Sequence, residues 1–93
     1  MEQAFIAAWA SARESAAKMD VRMRPISPEE SLKTAHRALS SHRESDGFGA
    51  LADMGHLELS LEALAVDKRF TGLFSDDEVN NALSRLLAAN YHF

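Results

Sequence analysis

The side chains best suited to chemistry in this chain are four histidines, fourteen Asp and Glu residues and ten Lys and Arg residues, with no cysteine among them. Lacking a thiol, the chain has no disulfide, Cys-ligated zinc, iron–sulfur cluster or thiol nucleophile. His36 and His42 stand six residues apart, whereas two metal ligands on one helix need a spacing of three or four. His56 falls in another segment. Glu14, Glu58 and Glu62 could line a helical bundle, but the Glu-x-x-His run of di-iron bundles occurs nowhere in the chain. Glu58 and Glu62 read as solvated charges beside an apolar stripe. No Ser-His-Asp set or carboxylate pair assembles from the spacing, so we expect no enzyme, no cofactor and no metal site.

His36 has the most distinctive surroundings. It lies in Ala35-His36-Arg37-Ala38-Leu39, on a polar helical stretch followed by a glycine turn and a leucine-rich run. This arrangement resembles histidine phosphotransfer domains, in which an exposed helical histidine of a four-helix bundle carries a phosphoryl group. The resemblance implies His36 as phosphoacceptor. Those domains carry a His-x-Leu-Lys-Gly run, and Leu39 and Ser40 stand here where its lysine and glycine belong. A second likeness is to a calcium-binding EF-hand loop, over Asp67 to Glu78, with Asp67 first, Gly72 sixth and Glu78 twelfth. Such a loop needs oxygen ligands at its third and fifth positions. Arg69 and Thr71 occupy them, and a cation at a ligand position argues against calcium.

The elements that would carry these residues are helical. Val, Ile and Thr number three, two and two, and alanine is abundant, which favours helix over strand. Phe5, Trp9, Ala12, Ala16 and Met19 recur at helical spacing, bulky at one end and small at the other. That predicts a first helix over 2–19, with Trp9 as a core anchor. Ser27-Pro28-Glu29-Glu30 carries the pattern of a capping box and starts a second helix over 28–44. Its apolar residues are few (Leu32, Ala35, Ala38, Leu39), and Lys33, His36, Arg37, His42 and Arg43 dominate the rest. Met54, Leu57, Leu61 and Leu64, flanked by Leu59, Ala63 and Val66, predict a central helix over 48–66. Gly55 inside it reads as a close helix crossing at a cost of ~1 kcal/mol. Ser75-Asp76-Asp77-Glu78 repeats the capping box, with Phe74 and Val79 placed to staple it. The last helix, over 76–90, turns Val79, Leu83, Leu86 and Leu87 inward, and Tyr91, His92 and Phe93 are expected to dock on the body.

The fold class expected is therefore all-α: one domain over 1–93, a small four-helix bundle with short loops and at least roughly 60% helix. A net charge of −4 disfavours direct nucleic-acid binding. No stretch approaches the apolar length of a membrane span, and no secretory signal is visible, so the cytoplasm is the expected compartment. The function expected is a non-enzymatic protein-interaction or regulatory module, such as an adaptor, a chaperone-like factor or an inhibitor of a larger protein. Heptad-like spacing in the first and third helices is compatible with a homodimer. The second helix, with Lys33, His36, Arg37 and Arg43, is the interaction face the inventory favours, because exposed cations on an acidic protein steer an acidic partner.

Overall fold

The computed structural model describes residues 2–21, 26–41, 44–45 and 47–91. It holds five α-helices: α1 (Glu2–Lys18), α2 (Ser31–Ser40), α3 (Phe48–Met54), α4 (Leu61–Ala65) and α5 (Asp76–Ala88). Short 3-10 turns occupy Pro28–Glu30, Leu57–Leu59 and Thr71–Leu73. The structure is 73% helical, with no strand among the described residues, so it is a small all-α bundle.

Phe5, Trp9, Ala12 and Ala16 form the buried face of α1, as their spacing requires. The helix stops because Asp20 adopts a left-handed conformation (φ 63°), letting the Val21 N–H reach back to the Ala16 carbonyl at 3.0 Å. Val21 is thereby buried beside Ala16. The same device ends α5, where Asn90 has φ 61° and the Tyr91 N–H bonds the Leu86 carbonyl at 2.9 Å. Tyr91 packs, half-buried, on the second core cluster; His92 and Phe93 lie outside the described residues.

The central helix expected over 48–66 is divided. Gly55 has φ 74° and ends α3, with the His56 N–H on the Leu51 carbonyl at 2.8 Å. Glycine takes this conformation without a Cβ clash, so here it stops a helix rather than easing a crossing. Ser60 then starts α4, its hydroxyl accepting the Ala63 N–H at 3.1 Å. The break changes the phase of the apolar row. Leu57, Leu61 and Leu64 stay buried, but Met54 is 43% exposed.

Among the described residues, two apolar clusters form the core. Phe5, Trp9, Ala35, Leu39, Leu61, Leu64, Phe70 and Phe74 belong to the first, in which the Phe5 ring meets Phe70 and Phe74 edge-on at 5.5 and 5.3 Å. Ala16, Val21, Phe48, Leu51, Leu57 and Leu86 form the second, and Leu59 and Val66 pack against both. Since α1 spends its stripe internally, that stripe is not available for pairing two copies.

The ends of α2 differ from the expected 28–44. Residues 28–30 form a 3-10 turn closed by the Glu30 N–H on the Ser27 carbonyl at 3.0 Å. The buried Ser31 hydroxyl donates to that same carbonyl, and α2 begins without a side-chain cap, so the expected Ser27 capping box does not form. At the other end α2 closes at Ser40. On α5 the Ser75 capping box is complete, and Phe74 and Val79 join one cluster on either side of it. Leu87, expected inward, is 57% exposed; Glu78, Ala82 and Leu86 set the buried face, and Leu87 lies about 100° round from Leu86. No helix among the described residues is long and apolar enough to cross a membrane.

Candidate functional site

Ser31, Ala35 and Leu39 turn one side of α2 into the core. With 3.6 residues per turn, Lys33, Arg37 and Ser40 then point outward, and all three are exposed. His36 sits on the border of this outer face, toward α5, with its side chain 39% exposed. Among the described residues, neither Lys33 nor Arg37 takes part in an ion pair or side-chain hydrogen bond. Arg43, expected to join this set, lies outside the described residues, as does His42.

His36 is not a bare surface histidine. Its Nδ1 lies 2.6 Å from Oε2 of Glu78, and its ring meets the Phe74 ring edge-on at 5.2 Å. Glu78 is nearly buried and has a second task, since its Oε1 accepts the Ser75 N–H at 2.8 Å to complete the α5 capping box. The Ser40 hydroxyl approaches Oε2 at 3.5 Å. Burial pushes the Glu78 carboxyl upward, but the Ser75 N–H and His36 outweigh it and hold the group below the ordinary carboxylate range. An ionised carboxylate only accepts, so Nδ1 of His36 is the donor in this contact. Nε2 has no partner among the described residues.

A second carboxylate departs from what its sequence position implies. Glu62 is fully buried, not solvated. Its Oε2 accepts the Ser45 N–H at 2.9 Å and Nη1 of Arg85 at 3.0 Å, and its Oε1 accepts the Ser45 hydroxyl at 2.5 Å. Arg85 also donates to the carbonyls of Ala38, Leu39 and Ser41, and Asn81 Nδ2 donates to Leu39 at 2.9 Å. These α5 side chains satisfy the last free carbonyls of α2, which is why it closes at Ser40. Glu58, by contrast, is exposed and pairs with His56 Nδ1 at 3.0 Å; that bond lowers its carboxyl pKa. The sequence signal that separates the two is faint: Glu62 sits at helical spacing among Leu61, Leu64 and Ala65, while its partner Arg85 is far along the chain.

In the segment compared with an EF-hand loop, the acids at the first and twelfth positions are spent internally. Asp67 accepts the Arg69 N–H, Nε and Nη2 at 2.9, 3.2 and 3.0 Å, and Glu78 is engaged as above. No cluster of three or more His, Asp or Glu groups suited to a metal ion occurs among the described residues. A shallow, open groove of about 390 Å³ runs past Gly72, Asp76, Val79 and Asn80 and contains no convergent set of reactive groups. No family model, curated protein or solved structure matches the chain.

Proposed function

We propose that this chain is a non-enzymatic helical interaction module that captures an acidic segment of another protein on the outer face of α2. The observation that carries the reading is the pair Lys33 and Arg37, exposed one turn apart and uncommitted among the described residues, on a chain whose net charge is −4. A cation already paired inside the fold has little left to offer a partner, and these two are unpaired among the described residues. The opposite side of α2 is fixed by core packing and by Asn81 and Arg85, so the face is presented on a rigid element. A local positive face on an acidic protein orients an approaching partner and speeds its association. Arg37 in the last turn also favours the helix dipole, which alone would explain one cation but not both.

The test is calorimetric titration with an oligo-glutamate peptide as probe. Lys33→Glu with Arg37→Glu should weaken binding sharply, more so at low salt, while thermal unfolding stays nearly unchanged. Parental affinity and parental salt dependence in that double variant would move the face elsewhere.

A second reading is favoured by the His36–Glu78 pair. A proton held on Nδ1 leaves the Nε2 lone pair free, the arrangement a phosphoryl acceptor needs. Incubation with a small phosphoramidate, followed by intact-mass measurement at neutral pH, separates this reading from the first. A phosphoryl adduct absent from His36→Gln supports it, and an unmodified chain removes it.

A further inference from the structure

Resting on the acidic-partner reading, we propose that the partner's carboxylate docks at Nε2 of His36 and that its capture takes up a proton. Of Lys33, His36 and Arg37, it is His36 that the fold itself holds in place: Glu78 holds Nδ1 at 2.6 Å, and Phe74 meets the ring at 5.2 Å. An oriented ring presents Nε2 in one direction, whereas Lys33 and Arg37 on their flexible stems act as surrounding charge. With the Nδ1 proton given to Glu78, a neutral imidazole offers a lone pair at Nε2 and repels a carboxylate. An imidazolium offers an N–H there and becomes the middle member of a carboxylate–imidazolium–carboxylate chain. The only new covalent bond is N–H at Nε2, and its proton comes from solvent.

The charges around His36 decide when that proton is taken. On α2, Lys33 and Arg37 oppose a third positive charge. On α5, Glu78 favours it, with exposed Asp77 beside it in the chain and Arg85 two turns further along, committed to Glu62. Exposed Glu29 and Glu30 precede α2, and α1 meets α2 through apolar residues, Phe5, Trp9 and Ala12 against Ala35 and Leu39. An arriving carboxylate offsets the two cations and tips the balance toward the imidazolium. Binding and protonation therefore favour each other, as linkage requires.

The experiment is calorimetric titration of the whole chain with oligo-glutamate in two phosphate-free buffers of different ionisation heat, at about pH 7 and again at about pH 6, where glutamate stays ionised. The expected result is a buffer-dependent heat, equivalent to uptake of part of one proton, and affinity rising several-fold at the lower pH, with a ceiling of about tenfold per unit. His36→Gln keeps an N–H for Glu78 but cannot titrate, and it should bind with the same heat in both buffers. Equal heats for the parent chain, or uptake that persists in His36→Gln, would overturn the proposal while leaving the acidic-partner reading intact. No binding at either pH would overturn that reading, and this inference with it.

Discussion

Two carboxylates help to seat α2, Glu78 directly through His36 and Glu62 through Arg85, and they do so in opposite circumstances. Glu62 has no exposure and faces three donors, among them the Arg85 guanidinium that closes the end of α2. Glu78 stands at the rim, where its one histidine partner remains open to solvent. The buried group fixes a geometry and offers nothing to a ligand. At the rim, a fixed ring nitrogen is left facing outward beside two cations. The contrast separates the part of α2 that holds the fold from the part that can recognise something.

The largest effect should come from breaking the buried pair on one side. Arg85→Met leaves Glu62 without its charge partner and the end of α2 without its guanidinium donors, and should cost about 3–5 kcal/mol in denaturant unfolding. Adding Glu62→Leu to that variant should recover part of the loss, because the uncompensated charge goes with it. A double variant less stable than Arg85→Met would mean that Glu62 acts through Ser45 alone. As an apolar reference, Leu61→Ala empties a core site that is 2% exposed, with an expected loss of ~2–5 kcal/mol. Melting within a degree of the parent would contradict its place in the first cluster.

The rim carboxylate should matter less, and in a way that depends on pH. Glu78→Ala removes the acceptor for the Ser75 N–H and frees His36, costing about 1–2 kcal/mol near neutrality. The carboxyl is held below its ordinary range in the folded chain. Its contribution is therefore fully present above the unfolded carboxylate range and lost as pH falls through the lower folded value. The stability gap between parent and variant should narrow on acidification below about pH 4.5. A constant gap would mean that the carboxylate charge contributes nothing. Smallest of all, Lys33→Glu with Arg37→Glu should shift stability by about 0.5 kcal/mol or less, as expected for exposed charges. A larger loss would show that these cations belong to the fold after all.

The sequence reveals the rim far better than the buried pair. The capping box at Ser75 and Glu78 is local, because four consecutive residues contain both halves of it. The α1 stripe is legible for the same reason, since its period is written in adjacent turns. Glu62 is not, because burying a carboxylate depends on a guanidinium 23 residues away and on a backbone N–H 17 residues back. Gly55 misleads because an apolar row continues on both sides of it while the backbone turns left-handed. The division of 48–66 then carries Met54 outward. Ser60 is the cue that a second helix start follows, hidden inside the apolar run. On α2, the cations Lys33 and Arg37 are exposed as their thin apolar pattern implies, but the Glu78 contact that fixes His36 joins residues 42 apart and has no local signature.

Whether α2 is the docking face can be read from a backbone amide chemical-shift map of the chain titrated with oligo-glutamate. The largest changes should cluster at Lys33, His36, Arg37 and Ser40, with a smaller response at Glu78 and little at Ser45, Glu62 or the α3 and α4 amides. Changes centred on α4 or on the exposed Leu87 side of α5, or no changes at any peptide concentration, would contradict it.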